Sequence, residues 1–227
     1  LSTGHARTPG GPDPCGSSDC QNHMGGAPPP GLPNDTTSCP PTMQIGDDVG
    51  LEVRVRTPTN ATGFSFDFRV FSFEFPAWVC TQYDDAFVAL VSPPPTGAVA
   101  GNVAIDMNSL PFTTNTPHES GCDPASQPFF ASNCGSPMCP APPMPYCPDG
   151  ALALQGTGFD VWGQSYAGVT PWMRTTSPVA GGEDVTIRFA IWDGSDQLDD
   201  STAVVDHVAW ITGPAPVVGT QPITNPH

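Results

Sequence analysis

Between Gly63 and Phe75 the chain places phenylalanine at 64, 66 and 68, and again at 71, 73 and 75. Alternation with a period of two is the mark of a strand with two distinct faces, because successive side chains point to opposite sides of a pleated backbone. Phe64, Phe66 and Phe68 share one face. The phase changes at Val70–Phe71, and a β-bulge there would return Phe71, Phe73 and Phe75 to that same face.

Other segments carry the same signal. Val49, Leu51, Val53 and Val55 alternate with polar residues, which predicts a half-buried strand. Further strands are expected over 86–91, 101–105, 151–155, 171–176, 183–192 and 201–212. No amphipathic helix of three turns and no internal repeat is present. Short strands punctuated by turns, without βαβ alternation, predict an all-β fold: an antiparallel, jelly-roll-like β-sandwich with long disulfide-stapled loops. The 30 prolines and 24 glycines among 227 residues are spread unevenly. They divide the chain into a Pro/Gly-rich arm (1–41), a sandwich (42–213) interrupted by a Cys/Pro-rich insertion (106–149), and an irregular tail (214–227).

Charge narrows the partners. There are 22 acidic residues against six arginines and no lysine, for a net charge of −16. Such a surface repels nucleic acid and anionic headgroups, both of which need cationic side chains to neutralise phosphate. The longest apolar run, 86–91, is far too short to span a bilayer. The chain opens on Leu1, which reads as a processed or trimmed start.

Eight cysteines stand at Cys15, Cys20, Cys39, Cys80, Cys122, Cys134, Cys139 and Cys147. An even number in a loop-rich chain predicts disulfides and an oxidising compartment, outside the cell or at its surface. Zinc is the rival, but no C-x-x-C pair is present and no histidine lies near 134–147. A local Cys15–Cys20 bridge is plausible. The remaining pairings stay open.

Two long motifs carry a resemblance. The stretch F-S-F-D-F-R-V-F-S-F-E-F-P-A-W-V-C-T-Q-Y-D-D-A-F-V-A-L (64–90) resembles the opening motif of bacterial choice-of-anchor L domains. The stretch G-G-E-D-V-T-I-R-F-A-I-W-D-G-S-D-Q-L-D-D-S-T-A-V-V-D-H-V-A-W (181–210) resembles their closing motif, and G-T-G-F-D (156–160) and P-W-M-R-T-T-S-P-V (171–179) fit between them. The similarity spans about 45–212 and leaves out the arm and the insertion. It implies an exported, surface-attached bacterial protein and carries no characterised activity.

The chemistry worth weighing is acidic. Glu74, Asp84 and Asp85 close the first motif, and Asp193, Asp196, Asp199 and Asp200 crowd the second. Calcium takes about six to eight oxygen ligands, which Asp-rich loops supply as carboxylates and carbonyls. Glu74, Asp84, Asp85, Asp193 and Asp200 are therefore the expected ligands of a structural calcium ion, against the plainer reading of solvated acidic turns. Asp206, within a strand, is an alternative buried partner for Arg188.

Catalysis is not expected. The stretch G-Q-S-Y-A-G (163–168) falls short of a nucleophile elbow, because Ala167 stands where the second glycine belongs, so Ser165 is unpersuasive. His118-Glu119 lacks a second histidine at helical spacing. Trp162, Tyr166 and Trp172 near turns could stack on a glycan, while Trp192 and Trp210 read as core. The Pro-rich arms could join a neighbour's sheet edge by strand addition, giving self-association and a filament. The sequence thus reads as a structural or adhesive extracellular protein, and a carbohydrate-binding module is the alternative.

Overall fold

The computed structural model describes residues 1–3, 25–33, 39–76, 78–116, 118–122, 147–160, 167–195 and 199–223. Its strands are β1 (Ile45–Arg56), β2 (Gly63–Ser72), β3 (Ala86–Ser92), β4 (Phe112–Thr113), β5 (Gly121–Cys122), β6 (Gly168–Val169), β7 (Met173–Pro178), β8 (Asp184–Gly194), β9 (Ser201–Ile211) and β10 (Gly219–Pro222). One sheet runs β1-β8-β3-β4. The other runs β10-β7-β2-β6-β5, with β9 on the opposite edge of β2. Every strand pairing is antiparallel. The chain is an all-β sandwich, as its alternation predicts.

The phenylalanine strand sits at the centre of the second sheet. Phe64, Phe66, Phe68 and Val70 face inward onto Phe87, Ala89 and Val91 of β3 and Val185, Ile187, Phe189 and Ile191 of β8. Phe66 meets Phe189 edge-on at 5.0 Å, and Phe68 lies 4.8 Å from Phe87 and 4.9 Å from Phe112. Burying such a ring contributes roughly 1.5–3 kcal/mol, and this layer is the main cohesive force between the sheets.

The expected bulge in β2 is absent. Val70 keeps the inward phase, so Phe71 and Phe73 point to the outer face, where Leu154, Phe159, Ala167 and Val169 cover them. That end of β2 is buried on both sides, and a doubly buried strand need not alternate. A bulge does occur, on β9. Ser65 pairs with Ala209 but Asp67 with Asp206, so β9 carries an extra residue there, and His207 adopts φ 51°.

Other expectations are revised in the same way. Residues 101–105 make only isolated bridges. Backbone bonds join them to β3, from the Val91 N–H to the Gly101 carbonyl and from the Val103 N–H to the Ala89 carbonyl, and the buried Asn102 side chain accepts the N–H of Ala89 and of Ala104. Residues 151–154 form a 3-10 turn rather than a strand. The insertion contributes β4 and β5, and the tail contributes β10, which pairs with β7. Leu1–Thr3 lie against the start of β9, with a bridge between Ser2 and Thr202. Val49, Leu51 and Val53 were expected to be half-buried, yet they are 37%, 54% and 41% exposed.

A buried carboxylate cluster at one end of the sandwich

The inward face of β8 reads Val185, Ile187, Phe189, Ile191, and the next residue in that phase is Asp193. The apolar layer therefore ends in a carboxylate at the rim. Ala86 opposes Trp192 across the β3–β8 ladder, which sets Asp85 beside Asp193. On the other side Gly46 pairs with Asp193, and the β1 register then shifts before Val49. Asp47 lies in that shift with φ 45°. Asp200 immediately precedes β9, and its carbonyl accepts the N–H of Phe73 at 3.3 Å.

All five expected ligands, Glu74, Asp84, Asp85, Asp193 and Asp200, are buried, and Asp47 is buried with them. They do not play one role. Glu74 Oε2 accepts the N–H of Asp85 at 3.2 Å and the hydroxyl of Thr114 at 2.9 Å. Asp84 Oδ1 accepts the N–H of Asn115 at 2.6 Å. These two acids pin the 114–115 turn. Asp85 Oδ1 accepts the N–H of Gly194 at 3.0 Å, and its Oδ2 accepts the Ser201 hydroxyl at 2.5 Å, so it ties β8 to β9.

Asp193 is different. It is fully buried, and neither carboxylate oxygen has a hydrogen-bond partner. Burial pushes its pKa well above the ordinary carboxylate value; the charge of Asp85 adds most to this, and Asp200 and Asp47 add further. The Thr3 hydroxyl pulls the other way without completing a hydrogen bond. Five of the six arginines are described, and all are engaged elsewhere. Arg54 and Arg56 pair with Asp184, Arg174 with Asp67, Arg188 with Asp48, and Arg69 donates to the Thr170 carbonyl. Arg188 does not reach Asp206, which is exposed on β9 and accepts the N–H of His207. Among the described residues, no three His, Cys, Asp or Glu side chains are gathered as a metal cage.

Asp47 was missed in the sequence. Its only signal is the Asp47-Asp48 pair ahead of an apolar strand, and nothing there separates the buried acid from the exposed one. His118 and Glu119, which lack the spacing of a zinc site, line a small interior pocket with Ser72, Asp85, Thr116, Thr170 and Ser201. Burial pushes Glu119 up to about 8 and His118 downward.

Cys39 bridges Cys80, and Cys122 bridges Cys147. Both pairs gather beside Phe75 and Val79 under the acidic loops. Cys15, Cys20, Cys134 and Cys139 lie outside the described residues. So do Ser165, Asp196 and two of the three expected glycan-facing aromatics, Trp162 and Tyr166. Trp172 is half-buried, and its carbonyl accepts the N–H of Ile223. Trp192 is core as expected, and Trp210 packs against Phe64 at 6.3 Å. The Trp78 indole donates to Asp199 at 3.1 Å and meets Tyr83 edge-on.

The model of the choice-of-anchor L domain matches residues 1–207. The chain belongs to the choice-of-anchor L family. The match covers the arm and the insertion, which the two recognised motifs had left out. Choice-of-anchor L membership makes this a surface-associated bacterial protein of the exported kind. No curated protein and no solved structure matched the chain. No helix among the described residues is long and apolar enough to cross a membrane.

Proposed function

We propose that this choice-of-anchor L domain is a structural or adhesive module displayed outside the cell, whose acidic end binds calcium. The observation that carries the calcium reading is Asp193, a fully buried carboxylate without a hydrogen-bond partner beside Asp85, Asp200 and Asp47. A carboxylate in that position must be neutralised, either by a proton or by a cation. Without a cation, mutual repulsion keeps such acids apart. A calcium ion would draw Asp193, Asp85 and Asp200 together with nearby backbone carbonyls and so clamp β3, β8 and β9. Extracellular modules of this kind bind calcium with dissociation constants of about 0.1–1 mM. At a hundred-fold excess over the dissociation constant, the ion adds roughly 2.7 kcal/mol of stability.

Thermal unfolding with 5 mM calcium and with chelator, on the wild type and on Asp193→Asn, tests this reading. The expected result is a higher melting temperature in calcium that the substitution abolishes. Equal melting temperatures in calcium and chelator overturn it. Fibre formation through the terminal arms is the finer form of the structural role, and light scattering on the native protein reads it directly.

A further inference from the structure

β4 belongs to the sheet of β1, β8 and β3, and β5 to the sheet of β2 and β6, so the chain between them passes from one sheet to the other. His118, Glu119 and Ser120 lie on that crossing. Beside it is an interior cavity of about 10 Å³, room for one water molecule at most. Its walls are Val70, Phe87, Phe112 and Ile191 of the main core, with Thr170 and Ser201. His118 Nε2 and Glu119 Oε2 are buried, and neither has a hydrogen-bond partner. Each atom has given up its hydration with nothing inside to replace it, so the shut crossing carries a standing cost.

The two ends of the crossing are held differently. On the β4 side the Thr116 N–H donates to the Thr113 hydroxyl at 3.1 Å, the Thr116 hydroxyl to the Pro111 carbonyl at 2.5 Å, and the Thr114 N–H to the Asp85 carbonyl at 3.1 Å. On the other side β5 is two residues long and lies at the edge of its sheet, against β6. There the Ser120 N–H donates to the Val169 carbonyl at 3.0 Å, and the Ser120 hydroxyl donates to Asp149. Packing inside is tight: a Cβ on Gly168 would fall 2.9 Å from Glu119 Cγ and 2.2 Å from the Phe75 ring. Water therefore reaches the Glu119 carboxyl only if the crossing moves outward. Among the described residues, β2, β6, β8 and β9 turn only uncharged side chains to this cavity. Asp85 lines it too but is bonded to the Gly194 N–H and the Ser201 hydroxyl. Asp106 acts on His118, and Asp149 acts on Arg69.

We infer that residues 118–120 are a flap, shut over the cavity while the Glu119 carboxyl keeps its proton and swung outward when it ionises. The β4 turn and the Cys122–Cys147 bridge stay in place as its two attachments. The open form can lose the Glu119 proton from pH 4.5 upward, whereas the shut form keeps it until about pH 8. Between those values each pH unit favours opening by about ten-fold, and above them the gain levels off. Opening hydrates both orphaned atoms. It also admits solvent to Thr170 and to Ser201, whose hydroxyl ties Asp85 to β9.

The test is amide hydrogen exchange on the full chain at pH 5 and pH 8, read by NMR and corrected for intrinsic rates. The expected result is a Ser120 protection factor at least about thirty-fold lower at pH 8 than at pH 5. Ser120 exchange at pH 8 should be indifferent to 1 M urea, since a flap exposes little surface, while exchange of the Thr170 amide should quicken with urea. Glu119→Gln should hold Ser120 protection equal at the two pH values. Equal Ser120 protection in the wild type overturns the proposal, and so does a Ser120 amide with the urea dependence of Thr170, which would mean that only the whole fold opens. A second readout needs no variant. Diethylpyrocarbonate should modify His118, relative to the exposed His207, at least about five-fold faster at pH 9 than at pH 7, and a constant ratio overturns the flap. Chelator is present throughout, so failure here and failure of the calcium reading are separable.

Discussion

The backbone N–H of Gly194 donates to the carboxylate of Asp85 at 3.0 Å, across the end of the β3–β8 ladder. That contact depends on the absence of a side chain. A Cβ on Gly194 would fall 2.5 Å from both the backbone nitrogen and the backbone oxygen of Asp84. Gly194→Ala must therefore push two strand ends apart. We expect a loss of about 1–3 kcal/mol, measured as a lower urea midpoint at unchanged slope.

Asp193 sets a pH dependence whose sign follows from its raised pKa. Below the ordinary value of 3.8 it is protonated in both folded and unfolded chains and has no effect. As pH rises past 3.8 the unfolded chain ionises first, so folding retains a proton and stability falls until the folded pKa is passed. Asp193→Asn should flatten this slope in chelator. Calcium should stabilise the wild type more at pH 7.5 than at pH 4.5, because the ion replaces the proton. Urea titrations at the two pH values read both effects.

Glu119 adds a second slope of the same sign. Its pKa rises from 4.5 to about 8 because burial outweighs the opposing backbone hydrogen bonds at Glu119 and His118. Stability should fall between pH 4.5 and 8, and Glu119→Gln should remove that share of the fall. The difference between variant and wild type, measured at pH 5 and at pH 8, isolates it from Asp193.

Asp67 is 1% exposed on β2 and is held by Arg174 of β7 through two bonds of 2.6 and 2.7 Å. Arg174→Ala takes the guanidinium from a buried carboxylate. Half-exposure of the arginine moderates the usual penalty, and we expect a loss of about 2–3 kcal/mol. Arg174→Lys should recover only part of it, because an ammonium cannot reproduce the planar fork. Chemical denaturation of the three proteins ranks them.

The Cys39–Cys80 bridge ties the approach to β1 to the loop before β3, across 41 residues of chain. Replacing both cysteines by serine should cost about 2–4 kcal/mol. Under the calcium reading it should also weaken calcium stabilisation, since Asp84 and Asp85 lie on the loop that Cys80 anchors. Calcium-dependent melting of the double variant checks both.

What the sequence determined by itself was local. A period of two in Phe64–Phe68 and in 183–192 requires strands whatever surrounds them, because the pleat alone sets that period. Cysteine number called for disulfides from a count alone, and Cys39–Cys80 and Cys122–Cys147 are formed. Tertiary structure decided which faces those strands bury. The phases of Phe71 and Phe73 could not be read along the chain, because the residues that cover them, Leu154, Phe159, Ala167 and Val169, are remote in sequence. Nor could the exposure of Leu51, which depends on where the opposite sheet stops. Among the acids, the sequence named five of the six that cluster, since they sit in two dense motifs. It could not separate Asp193 from Asp85. Both are aspartates at strand ends, and only the fold gives one of them an N–H and a hydroxyl and leaves the other buried without a partner.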